Sequence, residues 1–253
     1  FYDVEQRLKA AAITLACTAQ CTGGTKISAD FWHDVRCLIR ARHGDGVCVL
    51  GFCAAAGDQT PRPQVGRKAD QRMYELRGLT FSQEIARRLV NTFDDVAGVI
   101  AKDIRSDVPL VHRVRQVDLP ARIVTDAEYA VARKVCADID SAKERKKSDY
   151  WTRDLYGFAA DNYRAQQRGE RRTYQMELHV LRLGDVAIAT NTFELFTDYG
   201  VQMKARSPAL QTFVIQLTGS GGYLPTVRAA RGGGYSGVIQ SSRVGPEGGQ
   251  VLV

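Results

Sequence analysis

Residues 47–61, VCVLGFCAAAGDQTP, are the stretch of sequence on which the predicted fold rests. The first seven residues form a continuous apolar run, which is typical of a fully buried β-strand. Three alanines and the polar turn Gly57–Pro61 follow at its carboxyl end. A predicted helix precedes the strand and runs from Ser28 or Asp30, either of which can cap it, to about Arg42. This order indicates an α/β layer, and such layers bind ligands at the carboxyl ends of their strands.

Hydrophobic periodicity and turn residues predict the other elements. Strands at 174–183 and 186–190 flank the dipeptide Gly184-Asp185, which is a hairpin signal. Because the chain has no internal repeat and no linker rich in Pro or Ser, residues 1–253 are predicted to form one compact α/β domain, with a mixed β-sheet flanked by helices. The remaining expected elements are helices at 3–16, 80–103, 126–147 (capped by Asp126) and 150–169, and strands at 110–118 and 213–217.

Composition places the chain among globular proteins, with 44% hydrophobic and 25% charged residues. No run approaches the roughly 18 apolar residues that would span a bilayer. The net charge is +7, but the basic residues are spread along the whole chain, so we do not expect a nucleic-acid-binding protein. The chain starts at Phe1 and stops at Val253 inside an apolar run. Both ends are therefore expected to be cut, and no compartment is assigned.

The cysteines and histidines form no metal-binding pattern by themselves. Cys17 and Cys21 have the spacing C-x3-C without a second pair of ligands. Cys48 and Cys53 are predicted to face opposite sides of their strand, so all six thiols are expected to be free and buried. The four histidines are scattered, with no H-x-H, H-x3-H or H-E-x2-H, and each is expected to be a surface or structural residue.

Two segments offer a hydroxyl and a carboxylate that could carry chemistry. In the Gly57–Pro61 loop, the hydroxyl of Thr60 could act as a nucleophile or donor if a base or a metal activates it, although spacing alone favours a structural turn. Glu194 is flanked by Phe193, Leu195 and Phe196, and a carboxylate among apolar groups costs desolvation energy unless it is paired or bound to a metal. The alternative, a glutamate in the first turn of a helix, stays open.

The third segment is the Gly-rich tail, residues 219–249, which contains Tyr223 and Tyr235. It lacks the Lys-Ser/Thr of a P-loop and the spacing G-x-G-x-x-G, so nucleotide binding is not expected. Glycines beside tyrosines favour a backbone that folds tightly around a pocket while a phenol points inward.

Together these segments resemble the neutral/alkaline non-lysosomal ceramidase family. Residues 54–61, AAAGDQTP, are similar to the family's Gly-Asp-x-Ser-Pro loop, with Thr60 at the position of the catalytic serine. The segment around Glu194 resembles the one that supplies a zinc-binding glutamate, and GYLPT at 222–226 resembles the one with a zinc-binding tyrosine. Tyr235 follows Tyr223 at the spacing of a second active-site tyrosine, and Gly245-Pro246 resembles the family's closing segment.

Two departures from the family pattern stand out. The family's zinc site also uses histidines, one from an H-x-H-type segment that this sequence lacks, so the remaining ligands are expected from a segment before Phe1. A second histidine should precede the Ser28–Arg36 helix, where this chain has Cys17–Gln20 instead. The second departure is Thr60 in place of the family's serine: threonine keeps the hydroxyl but adds a methyl group and restricts χ1.

The resemblance implies a zinc-dependent hydrolase of an N-acyl (amide) bond, in a small molecule or a lipid such as ceramide. One Zn²⁺ would be bound by Glu194 and Tyr223, with Thr60 as the catalytic hydroxyl and Tyr235 as a donor to the developing oxyanion. Such a substrate would bring the protein into peripheral contact with a membrane. The alternative is a catalytically inactive ceramidase-like protein that binds a ligand or partner, and a basic nucleic-acid binder ranks third.

Overall fold

The computed structural model describes all 253 residues, and their contacts group into two compact units. The N-terminal unit comprises Phe1–Ala54 and Gln59–Pro109, and the C-terminal unit comprises Ala55–Asp58 and Leu110–Val253. The predicted α/β class, with helices and a mixed sheet, is confirmed. The assignment of residues 1–253 to one domain stays a prediction.

The N-terminal unit is built on two parallel strands, β1 and β2, with Ala10 opposite Cys48 and Leu15 opposite Cys53. Helix α1 follows β1, is capped by Asp30 as predicted, and packs with α3 over one face of the strands. Gly51 makes this packing close, because a Cβ there would overlap the Trp32 ring. The elements are β1 Ala10–Leu15, α1 Phe31–His43, β2 Cys48–Cys53, α2 Arg67–Leu76 and α3 Phe81–Ile100.

Three predictions for this unit are wrong. The expected helix at 3–16 is instead the strand Ala10–Leu15, because pairing with β2 overrides the local helix propensity of its alanines. Strand β2 is also not fully buried: Val49 lies in the core, but Leu50 on the opposite face is 43% exposed. All six cysteines are free, and Cys37 and Cys48 are exposed rather than buried.

The C-terminal unit contains a four-stranded sheet of order β3-β4-β5-β7, in which only the β5–β7 pair is parallel. The predicted hairpin is confirmed, with Gly184 at φ 59°. The unit's elements are β3 Leu110–Pro120, α4 Asp126–Ser141, α5 Lys147–Gln167, β4 Thr173–Leu183, β5 Val186–Thr190, β6 Glu194–Leu195, α6 Thr197–Arg206, β7 Gln211–Ile215, β8 Tyr223–Leu224, α7 Val227–Gly232 and α8 Pro246–Leu252, with a 3₁₀ turn at Tyr235–Gly237.

The boundaries of the helical hairpin α4–α5 differ from those predicted. Thr125, not Asp126, caps α4, through a capping box with Glu128. The helix ends at Ser141, and Lys147 already begins α5.

None of the protein's helices combines the length and the apolar character that crossing a membrane requires.

Candidate active site in the C-terminal unit

Glu194 lies in a short parallel strand pair, not in the first turn of a helix. After β5 ends, the Asn191 side chain accepts a hydrogen bond from the backbone N–H of Phe193 (3.0 Å), which turns the chain. The Glu194 N–H then donates to the carbonyl of Gly222 (2.8 Å), and α6 begins only at Thr197. The helix-dipole interpretation of Glu194 is therefore wrong, and the residue occupies a strand end beside the Gly-rich segment.

The register of this strand pair places Glu194 directly opposite Tyr223. The Tyr223 phenol donates a hydrogen bond to the Glu194 carboxylate. Burial raises the pKa of Glu194, and the bond from Tyr223 opposes that shift. Burial, followed by the bond to Glu194, raises the pKa of Tyr223. The pair therefore combines a desolvated carboxyl group with a phenol that keeps its proton at neutral pH.

Tyr235 completes a cluster of three predicted site residues. Its ring meets that of Tyr223 edge to face, with centroids 5.7 Å apart, and its side chain is 72% exposed. Glu194, Tyr223 and Tyr235 line one cavity of about 300 Å³. The other lining residues are Trp151, Leu155, Leu217, Gly219, Ser220, Gly221, Gly222, Gln240, Ser241 and Arg243.

Gly57 and Asp58, the first two residues of the predicted loop, contact the backbone of the segment that contains Glu194. The Gly57 N–H donates to the carbonyl of Leu195 (2.8 Å), and a Cβ at Gly57 would overlap the Glu194 carbonyl oxygen. Asp58 accepts bonds from the backbone N–H (2.8 Å) and the hydroxyl (2.7 Å) of Thr197. The glycine and the aspartate of this loop therefore fix the backbone of the carboxylate segment.

Thr60 belongs to the N-terminal unit. Its side chain is exposed, and its hydroxyl accepts a hydrogen bond from the backbone N–H of Arg62 (3.3 Å). The structure thus brings together Glu194, Tyr223 and Tyr235 within one unit, and Thr60 is not among the residues that line their cavity.

Three residues that contribute to the site were not predicted from the sequence. The Gln216 side chain accepts from the backbone N–H groups of both Ala56 and Leu195 (3.0 Å each), and so ties the loop to β6. Trp151 and Leu155, on α5, form an apolar wall of the cavity. Their spacing of four residues places them on one helix face, and this spacing was the signal available in the sequence.

The histidines and cysteines behave as structural residues. His43 pairs with Asp94 (2.7 Å), and the rings of His112 and His179 are joined by a 3.0 Å contact on a sheet surface. Burial is the main cause that raises the pKa of Cys17 to about 11 and that of Cys21 to about 12, so both thiols are protonated at neutral pH.

The oxygen atoms of Glu194 and Tyr223 meet only part of what a zinc ion requires from the protein. A catalytic zinc site needs three protein ligands. Glu194 and Tyr223 supply two hydrogen-bonded oxygens, but no group of three or more His, Cys, Asp or Glu side chains is placed to hold a metal ion. The residues present therefore do not complete a zinc site by themselves.

No protein-family model matches the chain, and no curated protein matches it. Solved structures do match. The neutral ceramidase from Pseudomonas aeruginosa has a TM-score of 0.64 at 15% identity, over 100% of this chain and 44% of that chain. A ceramidase complexed with C2 has a TM-score of 0.63 at 13% identity, over 100% of this chain and 45% of that one. The chain spans less than half the length of these neighbours, and over that length its fold is similar to theirs.

Proposed function

We propose that this protein hydrolyses an N-acyl amide bond. The observation that carries the proposal is the Glu194–Tyr223 pair, in register across β6 and β8, with Tyr235 on the same cavity. The similarity of fold to two ceramidase structures adds support, since the segments that carry these three residues also resemble that family's site in sequence.

The reaction adds water across the C–N bond and yields a carboxylate and an amine. In our proposal Thr60, which follows Asp58 by two residues in the sequence, provides the hydroxyl nearest the scissile carbon. Tyr235 donates its O–H to the carbonyl oxygen as negative charge develops, and removing such a donor costs about 3 kcal/mol in other enzymes.

A zinc ion belongs to the proposal, with Glu194 and Tyr223 as two of its ligands. Zinc would act as a Lewis acid on the scissile carbonyl or on the attacking oxygen. Zinc content tests this part independently of turnover: we expect about one zinc per full-length protein and its loss in Glu194→Gln. Equal zinc in the parent and the variant would remove Glu194 from the ligand set.

The substrate we propose is a lipid amide. Both structural neighbours are ceramidases, and the cavity has an apolar wall of Trp151, Leu155 and Leu217 beside its polar tyrosines. An acyl chain would lie against that wall. Such a substrate brings the protein into peripheral contact with a membrane.

Hydrolysis of a fluorescent N-acyl sphingosine by the full-length, zinc-loaded protein tests the function. We expect Glu194→Gln and Tyr235→Phe each to lower kcat/KM by about 100-fold or more. Glu177→Gln is the matched control, because Glu177 is an exposed glutamate of the same unit that bonds Gln116 (2.8 Å) and does not line the cavity. Equal losses in all three variants, or no hydrolysis by the parent, would overturn the proposal.

The second candidate is a ceramidase-like protein that binds its ligand without turnover. Two observations favour it: Cys17–Gln20 stands where the family has a histidine, and no third metal-binding side chain joins Glu194 and Tyr223. This candidate predicts that the fluorescent lipid binds the parent and that Glu194→Gln changes its affinity, while no free fatty acid is released.

A further inference from the structure

A second cleft in the C-terminal unit has a different chemical character. It has a volume of about 330 Å³ and lies between the end of β3 and the carboxyl end of α5. None of its residues lines the cavity of Glu194. Its walls are Ala121, Arg122, Ile123, Asn162, Gln166, Gly169, Glu170, Arg171 and Arg172.

The feature that points to a ligand is the Asn162 side chain. Asn162 is 3% exposed, and its Oδ1 is buried with no hydrogen-bond partner in the protein. One helical turn later, Gln166 uses both ends of its amide, accepting from the Val124 N–H (2.8 Å) and donating to the Val124 carbonyl (3.0 Å). A buried amide oxygen without a hydrogen-bond partner destabilises the folded state, so the Asn162 oxygen is in place for a partner that the chain does not supply.

The charged residues that line the cleft indicate which charge its ligand carries. Arg171 is exposed and makes no hydrogen bond or ion pair within the chain. Arg172 lies with its guanidinium 5.3 Å from the centre of the Phe158 ring. Glu170 is already held by two bonds from Arg168 (2.8 and 2.9 Å). The rim of the cleft therefore carries two arginines, and its one carboxylate, Glu170, is already bonded to Arg168.

Arg122 adds a fixed cation in the wall. It is 7% exposed and donates to the carbonyl of Gly237 (2.6 Å), the hydroxyl of Ser242 (2.8 Å) and the carboxylate of Glu128 (3.3 Å). These bonds hold the guanidinium in one orientation, so the cleft has one arginine fixed in its wall as well as the exposed arginines of its rim.

We propose that this cleft binds a hydrogen phosphate group. Phosphate oxygens accept from arginine and from the amide N–H of Asn162, and the remaining P–O–H donates to the Asn162 oxygen, the atom that has no partner in the protein. The group can belong to a soluble phosphate or to a lipid headgroup. This binding is separate from the proposed amide hydrolysis and does not depend on it.

Calorimetric titration of the full protein with inorganic phosphate tests the proposal. We expect Arg171→Gln to weaken binding about tenfold, the equivalent of one charge-assisted hydrogen bond. Arg113→Gln is the matched control, because Arg113 is exposed, makes no bond and lies outside the cleft, so we expect less than a twofold change. Sulfate, which carries no hydroxyl at pH 7, should bind several-fold more weakly than phosphate.

Two further arms separate the sources of the phosphate group. Binding to phosphatidylcholine vesicles with 20% phosphatidic acid, weakened by Arg171→Gln, would support a lipid headgroup, whereas binding of glycerol 3-phosphate alone would support a soluble ligand. No saturable phosphate binding would overturn the proposal and leave an internal water as the partner of Asn162. Equal losses in Arg171→Gln and Arg113→Gln, or equal affinity for sulfate, would overturn it as well.

Discussion

Two glutamates of this protein, one in each unit, are held in opposite ways. Glu84 on α3 is 2% exposed and receives hydrogen bonds from Arg77, Arg87 and Arg88, at 2.8 to 3.1 Å. Bonds from Arg87 are the largest cause that lowers its pKa to about 2. Glu194 has a single phenol as its partner, and burial raises its pKa. A buried carboxylate saturated with cations is structural, whereas one left short of positive charge in a cavity is a candidate for function.

The two glutamates also differ in how their backbone is held. Side-chain charges surround Glu84, whereas Glu194 is fixed by main-chain contacts with Gly57, Leu195 and the Gly-rich segment. We therefore expect the two sites to respond oppositely: the carboxylate should matter for stability at Glu84, and the backbone should matter at Glu194.

The largest expected effect comes from Gly57→Ala. The added Cβ overlaps the carbonyl oxygen of Glu194, a backbone atom that cannot move without displacing β6, so we expect a loss of about 3 kcal/mol in the free energy of unfolding. Urea unfolding followed by circular dichroism measures this loss. Gly98→Ala is the control, because a Cβ at Gly98 meets nothing within 4 Å and its helical position favours alanine. A loss below about 1 kcal/mol in Gly57→Ala would contradict the role of backbone packing at Glu194.

The next effect is at Glu84. We expect Glu84→Gln to lower the free energy of unfolding at pH 7 by about 2 kcal/mol, a value reduced because its arginine partners are partly exposed. Since the folded pKa is lowered to about 2, this stabilisation is present above the unfolded pKa near 4.5 and is lost as the pH falls through 2. Urea unfolding of parent and variant at pH 7 and pH 3 measures it. An equal difference at both pH values would show that charge is not the cause.

The smallest effect is at Glu194 and has the opposite sign. Because the folded pKa is raised, its contribution to stability is full below the unfolded pKa and is lost as the pH rises through the folded pKa. We expect Glu194→Gln to become more stable relative to the parent between pH 4 and pH 7, by less than about 1 kcal/mol. Melting temperatures across that range measure the trend. A variant that loses stability relative to the parent as the pH rises would place a cation near Glu194.

Local signals predicted much of the fold. The cap at Asp30, the helix Phe81–Ile100 and the hairpin at Gly184 depend on neighbours in sequence, and the structure confirms them. Strand β1 was missed because its partner β2 lies 38 residues further along the chain, and an alanine-rich segment carries no local sign of that pairing.

The candidate site, like the fold, was predicted only in part. The order of Glu194, Tyr223 and Tyr235 along the sequence, read through a family resemblance, predicted residues that lie on one cavity. Gln216 and Asn162 could not be predicted, because their importance rests on which backbone groups they reach or fail to reach. A buried amide becomes informative only when its hydrogen bonds can be counted.

The hydrogen bonds between Asp58 and Thr197 have a consequence for synthesis. Asp58 is synthesised 139 residues before its partner Thr197. At usual elongation rates of roughly 5–20 residues per second, about 7–28 s pass before the two residues can form their hydrogen bonds. Ala55–Asp58 must stay unpaired during that time, although the strand before them can already pair with β1. Two alanines, a glycine and an aspartate offer little apolar surface, so the segment that later contacts the Glu194 backbone can stay exposed during synthesis without promoting aggregation.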